Sequence, residues 1–162
     1  MKFEHQITYD SAPDKVRAML ADPAFRERVC EALRAFRHDV RVEPDGARMS
    51  VVIDQTQPSQ GIPSFAKKVV GDDIRIVQRE DWADESQASL TLEIPGKPGR
   101  FDGGISLAPA SDGNGSVETV AGDVKVKLPM VGGRLEGLIG DLLHKALATE
   151  QRIGRAWLAG DR

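Results

Sequence analysis

Residues 130–158, MVGGRLEGLIGDLLHKALATEQRIGRAWL, decide the fold of this chain of 162 residues. Apolar side chains recur there at helical spacing and form one continuous stripe. The stripe consists of Val131, Leu135, Leu138, Leu142, Ala146, Ile153 and Trp157, widened by Ile139, Leu143 and Leu147. At about 1.5 Å per residue, such a helix is about 40 Å long, enough to cross a whole sheet. We therefore predict a long C-terminal helix that covers one face of a sheet.

The residues before this helix predict the sheet. Apolar and polar side chains alternate in about seven segments, the first of which is KFEHQITY at residues 2–9. This period of two is typical of strands with one face toward a core. Two short helices are predicted directly after the first strand, the second of them starting at Pro23.

Turn sequences join the later strands directly. Examples are PDG at residues 44–46, GKPG at 96–99 and SDGNG at 111–115. Such short connections favour antiparallel neighbours, because parallel pairing would need crossover helices that this part of the chain lacks. The predicted fold class is therefore α+β, with a curved antiparallel sheet of about seven strands around the C-terminal helix.

One irregular stretch, QPSQGIP at residues 57–63, interrupts both periods and precedes about two turns of predicted helix at 64–70. Long irregular connections in compact domains often carry binding functions, so this insert is the best candidate for a lid. Its inward-facing residues would be Ile62, Phe65, Val69 and Val70. The alternative is a loop that closes one open end of the sheet and has no further role.

The order of elements resembles the helix-grip fold of the START-like, or SRPBCC, superfamily, over nearly the whole chain. More narrowly, MKFEHQITYDSAPDKVRAML (1–20), GIPSFAKKVVGDD (61–73) and LPMVGGRLEGLIGD (128–141) are similar to the DUF2505 family, an actinobacterial group. The resemblance implies one START-like domain over residues 1–162, in which a concave sheet grips the terminal helix with a cavity between them. Relatives of this superfamily use that cavity for lipids, sterols, polyketides or other hydrophobic molecules. The resemblance transfers no catalytic residue to this chain.

The inward-facing positions of the strands and the helix supply the predicted ligand contacts. The residues predicted to line a ligand cavity are Phe3, His5, Phe65, Leu92, Phe101, Ile105, Leu138 and Leu142. The alternative is that these side chains interlock in a dry core, because protein interiors are as densely packed as organic crystals. His5 shares the orientation of Phe3 and Ile7, so it would either bind a polar group of the ligand or make a hydrogen bond to the backbone inside the core.

The sequence gives little support for metal or cofactor chemistry. The three histidines, His5, His38 and His144, are far apart and show no spacing typical of a metal site. Cys30 lacks a nucleophile motif, and no Gly-x-Ser-x-Gly elbow is present. The Gly-rich segment at 99–104 lies between predicted strands and not before a helix, so it does not predict a phosphate site. We therefore expect neither a metal nor a cofactor.

Charge and hydropathy exclude further classes of partner. With 22 Lys and Arg against 25 Asp and Glu, the formal net charge is -3. No net positive field exists to attract nucleic acid. The N-terminal segment carries charges where a signal peptide would be apolar, and no segment approaches the roughly 18 consecutive apolar residues of a membrane span. We therefore expect a cytoplasmic protein with no nucleic-acid partner and no integral membrane segment.

The leading functional prediction is binding or carriage of a small hydrophobic molecule, lipid or polyketide-like, between the sheet and the C-terminal helix. One alternative is a cyclase- or dehydratase-like enzyme, in which His5, Tyr9 or Asp123 acts as acid or base. That alternative requires at least two polar groups that converge inside the cavity. Another alternative is a protein-interaction module, which requires a filled core and an exposed apolar patch.

Overall fold

The strands of the chain form one antiparallel sheet in the order β1-β7-β6-β5-β4-β3-β2. A computed structural model describes residues 1–162. Consecutive strands from β2 to β7 are neighbours, and β1 closes the order by pairing with β7, with Phe3 opposite Gly122. The two edge strands, β1 and β2, are connected through the first two helices. The sheet is therefore an antiparallel meander of β2 to β7, with β1 added at the edge beside β7.

The elements in chain order are β1 Lys2–Tyr9, α1 Pro13–Leu20, α2 Pro23–Ala32, β2 Arg37–Asp45, β3 Arg48–Pro58, α3 Ser64–Val70, β4 Asp73–Trp82, β5 Gln87–Glu93, β6 Gly99–Pro109, β7 Ser116–Val126 and α4 Gly132–Leu158. The predicted fold class is confirmed, as are the two short helices after β1 and the short helix α3. Helix α4 begins at Gly132, two residues after the predicted start. No helix in the structure combines the length and the apolarity needed to cross a membrane.

Helix α4 lies across the inner face of the sheet, but its apolar stripe meets two separate clusters. Toward its C-terminal end the helix contacts the main core, where the rings of Trp157 and Phe25 are 5.6 Å apart, edge to face. Toward its N-terminal end Leu135 belongs to a small cluster with Ala66 of α3 and Val126. Helix α4 therefore packs against the large core at its C-terminal end and against only a few buried side chains at its N-terminal end.

Glycine allows close approach at two places that position this interface. A Cβ on Gly140 of α4 would lie 2.6 Å from Met1 Cε, so the end of the Met1 side chain would have to move to make room for it. On the sheet, Gly103 of β6 is paired with Gly122 of β7. A Cβ on either would lie 2.8 Å from Phe101 Cζ. The ring of Phe101 therefore rests against bare backbone, which sets its position below α4.

A cavity between the terminal helix and the sheet

The space between α4, α3 and strands β4 to β6 is not filled by side chains. It contains a cavity of about 340 Å³, here called the outer chamber, lined by 28 residues of which 17 are hydrophobic. Ligand pockets in proteins measure about 300–1,000 Å³. At roughly 30 Å³ per non-hydrogen atom, the volume that a water molecule occupies in the liquid, the outer chamber holds about 11 such atoms.

A second cavity of about 100 Å³, here called the inner chamber, adjoins the first and lies deeper under α4. The residues that line both chambers are Leu33, Gln57, Ile76, Leu92, Phe101, Leu143 and Ala146. The two chambers together hold about 15 non-hydrogen atoms on the same rough scale. A ligand longer than the outer chamber would therefore extend toward the inner one.

The rim of the outer chamber is cationic. The exposed side chains of Arg34, Lys97, Arg100 and Lys145 belong to its lining. Arg100 is already paired with Glu93 and Asp102. The other three side chains form no ion pair. The rim consequently carries positive charge on a protein whose formal net charge is -3.

The inner chamber, by contrast, is lined by a buried network of polar groups. Arg26 of α2 donates from Nη1 and Nη2 to Glu80 Oε1 and Oε2 of β4, at 2.9 and 2.8 Å. Trp82 Nε1 and Gln78 Nε2 donate to the same carboxylate, at 2.8 and 2.7 Å. Arg26 Nε donates to the carbonyl oxygen of Leu20 at 2.8 Å. Arg26 and Glu80 therefore satisfy each other and have little capacity left for a further charged group.

A second carboxyl group in the inner chamber is not satisfied. Glu118 of β7 is 2% exposed, and its Oε2 atom has no hydrogen-bond partner. Burial raises the pKa of Glu118 well above its usual range, and the nearby carboxylates of Glu150 and Glu80 raise it further against the opposing effect of Arg26. Burial also raises the pKa of Glu150 on α4, which lines the same chamber. The environment therefore favours the protonated, uncharged form of Glu118.

A pH-dependent stability follows from Glu118. A raised pKa in the folded state means that the proton stabilises the fold, and this stabilisation is lost as the pH rises above about 4.5 through the folded-state pKa. Glu118→Gln cannot ionise, so its free energy of unfolding should exceed that of the wild type by about 1–3 kcal/mol at pH 8. The difference should shrink toward pH 4.5, as measured by urea unfolding.

The matched control for this measurement is Glu4→Gln, on the exposed face of β1. It should change the free energy of unfolding by less than about 0.5 kcal/mol at either pH. A difference between Glu118→Gln and the wild type that stays the same from pH 4.5 to pH 8 would contradict the assignment of a raised pKa to Glu118.

Cys30 also lines the inner chamber, from α2. It is 1% exposed, and burial raises the pKa of its thiol to about 11. The thiolate is the reactive form of cysteine, and at neutral pH this side chain is a thiol. Cys30 therefore lines the chamber with a small, weakly polar side chain and is not a nucleophile.

Most of the residues predicted from the sequence to contact a ligand lie around these two chambers. Phe3 and Ile105 line the inner chamber, Leu138 and Leu142 line the outer one, and Leu92 and Phe101 line both. Of the residues predicted for the insert, Ile62, Val69 and Val70 line the outer chamber. Contact of any of these side chains with a ligand stays a prediction.

The structure does not bring His5 and Phe65 to either chamber. His5 lies between β1 and α4, where its Nδ1 atom is 2.7 Å from Nδ1 of His144. Its pKa is lowered by burial and by the neighbouring His144. The ring of Phe65 lies below the guanidinium of Arg134, at 4.1 Å. Helix α4 thus covers both side chains on the flanks of the cavity.

The residues predicted as acid or base candidates also lie outside the two chambers. Neither Tyr9 nor Asp123 lines a chamber; the Tyr9 hydroxyl is buried beside Gly154, and Asp123 is paired with Lys2 at 3.1 Å. The polar groups that do converge are Arg26, Glu80, Glu118 and Glu150, together with the amides of Gln55, Gln57 and Gln78. No group of three or more His, Cys, Asp or Glu side chains is placed to hold a metal ion.

This combination of a seven-stranded antiparallel sheet, a long terminal helix and a cavity between them defines a class of proteins, the START-like or helix-grip fold. A solved START superfamily protein from Mycobacterium smegmatis superposes with a TM-score of 0.58 at 15% identity, covering 94% of this chain and 96% of that one. By its sequence, the chain belongs to the family described as "Protein of unknown function (DUF2505)", which matches residues 4–158.

Further proteins share the fold or the sequence. The uncharacterized protein Rv0481c of Mycobacterium tuberculosis is 27% identical over 161 residues, 97% of this chain and 89% of that protein. The di-domain ARO/CYC StfQ from the steffimycin biosynthetic pathway has a TM-score of 0.67 at 15% identity, covering 98% of this chain and 50% of that one. Norcoclaurine synthase from Thalictrum flavum, solved with dopamine and hydroxybenzaldehyde, has a TM-score of 0.63 at 17% identity, covering 100% and 88% of the chains.

Proposed function

We propose that this protein binds and carries a small hydrophobic molecule, lipid or polyketide-like, in the chambers between α4 and the sheet. The observation that carries the proposal is the outer chamber of about 340 Å³ with its predominantly hydrophobic lining. Cavities of this size and character are typical of small-molecule sites. The alternative of a filled core, as an interaction module would need, does not account for this unfilled volume.

Two proteins of the same fold support a small-molecule site. StfQ, by its description, belongs to a biosynthetic pathway, and norcoclaurine synthase was solved with two small aromatic molecules. The present chain shares their fold and has room for about 11 to 15 non-hydrogen atoms, on the rough scale used above. A single aromatic ring with a short alkyl chain is of this size.

Equilibrium dialysis with 1-isopropyl-4-propylbenzene, an uncharged hydrocarbon of this size, tests the proposal. We expect saturable binding of one molecule per chain with a dissociation constant of roughly 10–100 μM, because apolar ligands of about a dozen atoms gain about 0.5 kcal/mol per atom. If the hydrocarbon does not accumulate on the protein side when the protein concentration exceeds the expected dissociation constant, the proposal is overturned.

A further inference from the structure

The unpaired carboxyl group of Glu118 is the one feature of the inner chamber that the protein itself does not explain. Buried polar atoms almost always have a hydrogen-bond partner. Glu118 Oε2 is buried without one, and the side chain belongs to the wall of a cavity. A ligand group in the inner chamber can supply the missing partner.

The charges around Glu118 restrict what that ligand group can be. The ionisable groups lining the inner chamber are Arg26 and Cys30 from α2, Glu80 from β4, Glu118 from β7 and Glu150 from α4. Arg26 is already bound to Glu80 through two hydrogen bonds. No free cation is therefore left to pair with an anionic group, which would lose its hydration on entering the chamber without compensation.

An ammonium group fits less well than an uncharged oxygen. A cationic ligand would need to leave water, and Glu118 would need to lose its proton inside an enclosed site, where an isolated ion pair recovers only part of the desolvation cost. An uncharged acceptor oxygen requires neither step. It needs only the O–H group that a protonated carboxyl offers.

We propose that Glu118 donates a hydrogen bond from its carboxyl group to an uncharged acceptor oxygen, such as a ketone, at the inner end of the ligand. The ligand is then a hydrophobic molecule whose apolar part occupies the outer chamber and whose carbonyl oxygen lies in the inner chamber. This inference rests on the proposed binding function and adds the chemistry of one end of the ligand. Glu118 is a binding residue in this assignment.

Three probes with the same connectivity and number of non-hydrogen atoms test the assignment by equilibrium dialysis at pH 7. They are 4′-propylacetophenone, a ketone; 1-isopropyl-4-propylbenzene, the matching hydrocarbon; and 1-(4-propylphenyl)ethylamine, the matching amine. The quantity compared is the ratio of ketone affinity to hydrocarbon affinity in the wild type, Glu118→Leu and Glu118→Gln. Since the free probes are the same in every measurement, their difference in hydration cancels when the ratio is compared between the wild type and a variant.

We expect Glu118→Leu to lower this ratio by about five- to tenfold, which corresponds to the loss of one buried hydrogen bond. Glu118→Gln, whose amide still donates a hydrogen bond, should keep the ratio within about threefold of the wild type. The hydrocarbon should bind all three proteins similarly, which shows that the chambers are intact.

Two results would overturn the assignment. One is an unchanged ratio in Glu118→Leu, and the other is tighter binding of the amine than of the ketone by the wild type, which would indicate a cation site. Both leave the proposed function in place as long as the hydrocarbon binds. If the hydrocarbon does not bind the wild type, the proposed function itself fails.

Discussion

Glu80→Ala is expected to lower the free energy of unfolding by about 3–5 kcal/mol, because it leaves the buried guanidinium of Arg26 without its hydrogen-bonded carboxylate. Arg26 is 3% exposed and Glu80 is 1% exposed, so water cannot replace the lost partner. The substitution also removes the acceptor of Trp82 Nε1. Urea unfolding of the variant and the wild type at pH 7 measures the difference.

Asp54→Ala is the matched control, because Asp54 accepts two hydrogen bonds from Arg75 at 3.0 and 2.6 Å on the exposed side of the sheet. Exposed ion pairs contribute little, so the control should lose less than about 1 kcal/mol. The double variant Arg26→Met, Glu80→Met should lose less than Glu80→Ala alone, because it buries no unpaired charge. Equal losses in Glu80→Ala and Asp54→Ala would contradict the buried network described above.

Ala146→Phe is expected to weaken binding of 1-isopropyl-4-propylbenzene by at least tenfold. Ala146 lies on α4 and lines both chambers. A phenyl ring at this position would occupy the space where the two chambers adjoin, and competition for volume of this kind costs about 1.4–3 kcal/mol, or tenfold and more in affinity. Equilibrium dialysis of the variant measures the effect.

Ala148→Phe provides the control, since Ala148 is exposed on the same helix and lines neither chamber. It should bind the hydrocarbon within about twofold of the wild type, and both variants should unfold within about 1 kcal/mol of it. Wild-type affinity in Ala146→Phe, with the fold intact, would place the ligand outside the chambers.

The regular elements could be predicted from the sequence because each has a local signal. The apolar stripe of α4, the alternation in the strands and the turn at PDG (44–46) depend on spacing within a few residues. These signals were enough to predict an antiparallel sheet and the long helix that covers it. They also placed Leu92 and Phe101 on the inner face of the sheet, where the structure has them.

The polar network was missed because its members come from distant segments. Arg26 and Glu80 are 54 residues apart, and only tertiary folding brings them within hydrogen-bond distance. A weaker signal was nevertheless present. Glu118 lies two residues before the buried Val120 on β7, so the alternation of the strand places both side chains on the inner face. Glu80 has the same relation to Trp82.

The two misplaced ligand contacts have one physical cause. His5 was correctly expected to face inward, since it is partly buried on the inner face of β1. Helix α4, however, crosses directly above it and places His144 against it. Phe65 in the same way meets Arg134 of α4. Strand and helix periodicity give the direction of a side chain, but not which part of the covering helix lies opposite.

Methyl NMR of the protein during titration with 1-isopropyl-4-propylbenzene tests most directly whether the space under α4 holds an apolar ligand. The methyl signals of Val69, Leu92, Leu138 and Ile139, which line the outer chamber, should shift and saturate together. The signals of Val16 and Leu20, which are buried and line neither chamber, should remain in place. Saturable binding without shifts at the chamber methyls would contradict the account.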